Sequence, residues 1–182
     1  LTKTYMKDPK EILVSSSLKT AKTIDQRKIM VRADEKKVVL LTLLNDCLNT
    51  QQKNQKEGSV LIFCNRKSEV SQLAASLKRS GFKAQALHGD MEQSQRRKTL
   101  LDFTNKVFNI LVASDIASRG LDVEALSLVV NFGVPLQPEE YVHRIGRTGR
   151  AGQLGMAVTL VSKEEQKAFK ALESTINEVI TE

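Results

Sequence analysis

Short, purely apolar runs alternate along this chain with longer stretches in which apolar residues recur at helical spacing. In KEGSVLIFCN (56–65) the run Val60 to Cys64 shows no alternation, the pattern of a strand buried on both faces. In the following RKSEVSQLAASLKRSG, Val70, Leu73, Ala74 and Leu77 fall at i, i+3, i+4 and i+7, which predicts a helix, and Gly81 is placed to stop it. FKAQAL (82–87) reads as a strand and MEQSQRRKTLLDF (91–103) as a helix. FNILVAS (108–114), ALSLVVNF (125–132) and GMAVTLV (155–161) are further strand runs. PEEYVHRIG begins with Pro138, a favoured first helical residue. Ser162 and Glu165 form an S-x-x-E capping box ahead of a last helix, whose apolar face is Phe169, Leu172, Ile176 and Val179. Upstream, residues 22–32 read as extended and 35–48 as helical, with NTQQKNQKEG (49–58) a polar helix end and loop. There is no internal repeat.

Strands alternating with helices predict one α/β domain, a mostly parallel sheet sandwiched between helices. Right-handed crossovers then align the carboxyl ends of the strands along one edge, where ligands bind in such folds. The segments leaving the strands are CNRKS, LHGD, ASDIASRGLD and NFGVP, and most of the notable polar residues lie in or just after them.

A length of 182 residues suits one domain with a substantial core. The net charge of +7 is compatible with a polyanionic partner, although proteins without one carry as much. The two cysteines, Cys47 and Cys64, have no neighbours at metal-ligand spacing, so neither a disulfide framework nor a metal site is expected and a reducing, intracellular compartment fits, cytoplasmic or nuclear. No apolar run approaches the roughly 20 residues of a membrane span. The N-terminus lacks both an initiating Met and a signal-peptide pattern, so a fragment is expected.

Three constellations carry candidate chemistry. In ASDIASRGLDVE (113–124), Ser114 and nearby backbone N–H groups suit a phosphate oxygen, Gly120 allows a tight turn, and Asp115 and Asp122 are acceptors for hydroxyls or arginines. The alternative is a capped turn with Arg119 paired to an aspartate. In LHGDMEQSQRRK (87–98), Gly89 and Asp90 make a turn, and Gln93 and Arg96 share a helix face suited to a phosphate backbone. A solvated basic helix is the alternative there. In HRIGRTGRAG (143–152), Arg144, Arg147 and Arg150 recur every third residue around Gly146 and Gly149. Gly149 is expected to break the helix so that Arg147 and Arg150 converge on one anion. A planar, permanently charged guanidinium suits charge developing on a transferring phosphoryl group. A solvated basic turn is the bland reading.

These residues resemble the DEAD-box RNA helicases of superfamily 2. HRIGRTGR matches their motif VI residue for residue, VLIFCNRK resembles motif IV, Gln93 to Arg96 after HGDM fits QxxR, and ILVASDIASRGLDV resembles motif V. The resemblance runs from about Tyr5 to Val161, in family order, and His143 in place of a Gln separates this group from related helicases. It implies the second of two RecA-like domains. A P-loop GxxxxGK[ST] and the DEAD tetrapeptide are both absent, and YMKDPKEILV resembles the end of the first domain. Residues 1–21 are accordingly expected to be the first-domain end and linker, and 22–182 the C-terminal RecA-like domain.

The resemblance also implies roles. Arg147 and Arg150 would be arginine fingers on the γ-phosphate of ATP, which is bound with Mg2+ mainly by the first domain. His143 would link them to that domain's acidic motif. Asp122 would contact the ribose beside Gly120, and Arg119 would tie motif V to its surroundings. Asn65, Arg66, Gly89, Gln93, Arg96, Ser114 and Asp115 would line the track for the RNA sugar–phosphate backbone. The implied partners are RNA, read without regard to sequence, and the first RecA-like domain; no membrane is involved. The implied activity is an RNA-stimulated ATPase driving unwinding, absent from the isolated domain. A stand-alone RNA- or protein-docking module and a DNA helicase half remain alternatives.

Overall fold

The computed structural model describes residues 20–53, 58–118, 126–149 and 152–182. Among them six strands, β1 (Ile24–Met30), β2 (Val60–Phe63), β3 (Ala84–Leu87), β4 (Ile110–Ala113), β5 (Leu128–Asn131) and β6 (Gly155–Val161), form one sheet in the order β1-β6-β5-β2-β4-β3. Every pairing is parallel. Six α-helices accompany them among the described residues: α1 (Lys36–Lys53), α2 (Lys67–Arg79), α3 (Gln93–Thr104), α4 (Asp115–Ser118), α5 (Pro138–Ile145) and α6 (Gln166–Ile176).

The unalternating strands are unalternating because both faces are covered. Val60, Ile62, Ile110, Val112, Val130 and Leu160 point to one face, where they meet Leu40 and Leu44 of α1 and Val70, Leu73, Ala74 and Leu77 of α2. Leu61, Phe63, Leu111, Val129 and Val161 point to the other and meet Phe103 of α3, Tyr141 and Ile145 of α5, and Phe169, Leu172 and Ile176 of α6. Burial of such runs, worth about 25 cal/mol per Å² of apolar surface, is the main stabilising term. No described helix is long and apolar enough to cross a membrane.

This layering positions the site. The chain leaves β2 toward the α1/α2 face but leaves β4 and β5 toward the other. The carboxyl ends of β2, β4 and β5 therefore diverge at the centre of the sheet and open a crevice there.

Most expected boundaries lie within two or three residues of the observed ones. β6 coincides with the expected strand, and Gly81 closes α2 in the left-handed region (φ 88°), its N–H bonded to Lys78 O at 3.0 Å. Three details differ. The Ser162/Glu165 capping box opens a 3-10 turn, Lys163–Glu165, that leads into α6. Helix α6 ends at Ile176 because Asn177 turns left-handed (φ 55°), so Val179 is 86% exposed and Ile180 is buried in its place. The following segment runs beside β1, where Lys28 N–H bonds Thr181 O at 2.8 Å and covers the sheet edge. Helix α5 stops at Ile145 with Gly146 as its cap, three residues before the expected Gly149.

Gly149 serves a different purpose. With φ 67° it passes close to the start of β6. A Cβ at Gly155 would fall well inside contact distance of Thr148 Oγ1 and Gly149 N. Backbone cannot yield as a flexible side chain would, so Gly155→Ala is expected to destabilise the domain by about 1–3 kcal/mol. A urea titration of the two proteins checks it; an unchanged midpoint would refute the close packing.

Candidate functional site

The crevice is organised by one buried cation. Arg144 lies three residues after Tyr141 and next to Ile145, on the face that α5 buries, and is only 1% exposed. Its guanidinium donates through Nε and Nη2 to the two oxygens of Asp115, each at 2.6 Å. Nη2 also donates to Asn65 Oδ1 at 2.9 Å, and Nη1 to Asn131 Oδ1 at 3.3 Å. The group lies over the Phe63 ring, 5.1 Å from its centroid. A bidentate carboxylate and two amide oxygens satisfy most of the five-donor fork, which is the condition for keeping such a charge out of water. Asp115 follows β4, Asn65 follows β2 and Asn131 ends β5, so Arg144 ties α5 to all three strand exits.

The loop between β5 and α5 is held as tightly. Asn65 Nδ2 donates to Val134 O at 2.8 Å, and Val134 N–H donates to Glu165 Oε1 at 3.2 Å. Glu165 Oε2 accepts from Ser162 N–H at 2.9 Å and from Lys36 Nζ, which also donates to Phe132 O at 3.0 Å. Burial alone would raise the Glu165 carboxyl, but Lys36 and the two backbone donors outweigh it and hold it below the usual range. Burial instead pushes Glu69, on the neighbouring turn of α2, upward. It also pushes the thiol of Cys64 well up, which leaves that residue unsuited to nucleophilic work beside the site.

His143 and Arg147 are more accessible than Arg144. His143 is exposed and Arg147 half-buried, and with Glu140, Ser118, Asp115, Phe63 and the buried Arg144 they line one open hollow at the carboxyl edge. Gly146 makes this division possible: ending the helix before Arg147 releases it from the row that Arg144 buries. Arg150, Arg119, Gly120 and Asp122 lie outside the described residues.

The residues expected on the phosphate track fall into two groups. Arg66 and Gln93 are exposed at the starts of α2 and α3, and Gly89 is exposed with open space before it. Arg96 is half-buried and reaches from α3 to Ala117 O at 3.4 Å. Ser114 is half-buried, and its carbonyl accepts the Ala117 and Ser118 N–H groups at 3.1 Å. The side chains of Asn65 and Asp115, by contrast, are turned inward onto Arg144. Sequence reasoning gave Arg144, Asn131 and Lys36 no role at the site, and Glu165 only its place in a capping box. For Arg144 a signal existed, since it shares a helical face with Tyr141. For the others the partners are too distant in sequence to be paired by spacing. Among the described residues no group of three His, Cys, Asp or Glu side chains could hold a metal ion.

An all-parallel sheet with an arginine-bearing helix at its central carboxyl edge is a RecA-like α/β lobe, and comparison with known proteins makes the assignment specific. The family model of the helicase conserved C-terminal domain matches residues 35–152. The ATP-dependent RNA helicase DbpA of Bacillus subtilis is 38% identical over 176 residues, 97% of this chain and 35% of its own length. Among solved structures, the E. coli DEAD-box protein SrmB bound to regulator of ribonuclease activity A superposes with a TM-score of 0.77 at 32% identity, covering 88% of this chain and 91% of that one. A variant of S. cerevisiae Dbp5 bound to RNA and ADP BeF3 gives a TM-score of 0.78 at 29% identity, covering 89% and 41%. The chain belongs to the helicase conserved C-terminal domain family, as the C-terminal RecA-like domain of a DEAD-box RNA helicase. It spans less than half the length of the curated relatives it matches.

Proposed function

We propose that this chain is the second half of an ATP-driven RNA motor. It supplies Arg147 and Arg150 to the γ-phosphate of ATP that the first RecA-like domain holds with Mg2+, and part of the surface that grips the RNA backbone. His143 bridges to the first domain, and Asp122 and Gly120 meet the nucleotide. Arg66, Gly89, Gln93, Arg96 and Ser114 contact the RNA phosphates, while Asn65 and Asp115 shape that track through the strand exits they fix.

The observation that carries this reading is the division of labour within HRIGRTGR. Arg144 is buried in an ion pair with Asp115 at the base of the hollow, while His143 and Arg147, one and three residues from it, line the same hollow with more of their surface in water. The residues fit a polyphosphate: Arg147 brings a planar, permanent charge, Asp115 at the same hollow is neutralised by Arg144, and the Glu140 carboxylate there is engaged by the Gln137 N–H. A half-site of this kind is completed when a nucleotide-loaded domain closes on it, as catalysis of phosphoryl transfer is mainly positioning and charge stabilisation. Support for RNA comes from the RNA-bound state of the Dbp5 structure and from the helicase relatives.

Mixing separates the halves' contributions. This chain alone is expected to hydrolyse no ATP, and the chain combined with its matching first domain to hydrolyse ATP faster when RNA is added. Turnover by the chain alone, or a combined sample indifferent to RNA, would sink the proposal.

A further inference from the structure

We infer that Lys36 and Glu165, which lie outside all the motifs of the resemblance, are positioning residues for the arginine-bearing helix α5. The inference rests on the function proposed above for Arg147. The β5–α5 loop is gripped at three backbone groups: Phe132 O by Lys36, Val134 N–H by Glu165, and Val134 O by Asn65. The last contact fixes which way the Asn65 amide points. With Nδ2 committed to Val134 O, Oδ1 must face Arg144 Nη2. A reversed amide would set oxygen against oxygen at Val134 and donor against donor at Arg144. The Lys36–Glu165 pair thus acts on Arg144 through Val134 and Asn65, and Arg144 in turn sets where α5 presents His143 and Arg147.

Packing leaves this loop little room. Gly133 backs directly onto the carboxylate, since a Cβ there would lie 3.1 Å from Glu165 Oε1 and 3.4 Å from Asn65 Nδ2. The Lys36 ammonium is almost out of water, with a side-chain exposure of 9%. It lies near the start of α1, and Glu165 lies just before α6, so elements from both ends of the described chain meet at this loop. A surface ion pair would do none of this: it would hold no backbone group and tolerate removal. Connected polar networks of this kind tend to lose function together when one member goes.

Displacement of a catalytic group by about an ångström can cost on the order of 100-fold in rate. In the two-domain protein, Glu165→Ala is therefore expected to lower RNA-stimulated kcat by about 10- to 100-fold, with KM for ATP within about twofold. Glu165→Gln keeps an acceptor for Val134 N–H and is expected to lose less. Both are assayed well below their melting temperatures, beside an Arg147→Ala control. The Arg144 Nε–H NMR signal of the variants is recorded in this chain alone; the structure of the C-terminal domain of the DEAD-box protein Dbp5, of nearly the same extent, supports working with such a lobe by itself.

A shifted Arg144 signal together with reduced kcat supports the inference. Wild-type kcat in any folded variant, with the Arg147→Ala control inactive, overturns it. Should Glu165→Ala not fold, Glu165→Gln decides by the same two readouts. If the Arg147→Ala control keeps its turnover, the proposed function fails. The Arg144 signal alone then judges the positioning role, a shift supporting it and an unchanged signal overturning it.

Discussion

Arg147→Ala in the two-domain protein is expected to reduce RNA-stimulated ATP turnover by about 10³–10⁵-fold, the range for loss of an arginine finger, while leaving the fold intact. Both halves of that expectation come from where Arg147 sits. It is half-buried at the rim of the hollow rather than in either core cluster, so stability should change by no more than about 1 kcal/mol. Arg147→Lys keeps the charge but not the planar fork, and on the proposed role it should fail nearly as badly. Steady-state turnover at saturating ATP and RNA, beside a thermal melt, measures both effects. Turnover within a few-fold of wild type would remove Arg147 from the reaction.

Arg144→Met, three residues earlier, should behave in the opposite way. It removes the cation from Asp115, Asn65 and Asn131 at once and leaves a carboxylate at the centre of the crevice without its partner. Breaking a buried ion pair on one side costs about 3–5 kcal/mol, and the lower end applies because the Asp115 side chain keeps 23% exposure. Chemical denaturation of this chain alone is sufficient to see it, with no ATP or RNA present. A double-mutant cycle with Asp115→Asn isolates the pair, and the double variant should recover part of the loss because no uncompensated charge remains. Additive losses would mean that the two side chains do not act together. Set side by side, the two arginine substitutions remove the same charge from one short motif, and one should abolish turnover where the other undermines the fold.

Much of the architecture was legible because it follows from local periodicity. The unalternating runs around Ile62, Val112 and Val130 can be satisfied only by burial on both faces, which requires a parallel sheet with helices on each side. The stripe Val70, Leu73, Ala74 and Leu77 and the brake at Gly81 appear as the residues dictate. Less legible were the places where a single backbone torsion changes the period. Asn177 takes Val179 out of the core and puts Ile180 in, and Gly146 rather than Gly149 closes α5.

The candidate site divides in the same way. By itself the sequence determined that basic and glycine-rich segments follow strands, hence that they gather at one sheet edge, because chain direction and crossover hand are local properties. Which arginine is buried in an ion pair and which stays half-exposed at the hollow came only with the folded arrangement. Spacing within HRIGRTGR treats Arg144 and Arg147 alike. What separates them is that Asp115, Asn65 and Asn131, from the carboxyl ends of three different strands, converge on Arg144. The grip of Lys36 and Glu165 on the β5–α5 loop was likewise invisible along the chain: its partners lie 129 residues apart and meet only because the sheet order brings them together. Charge and periodicity are carried by neighbours in sequence, but the burial that gives a charge its role is carried by neighbours in space.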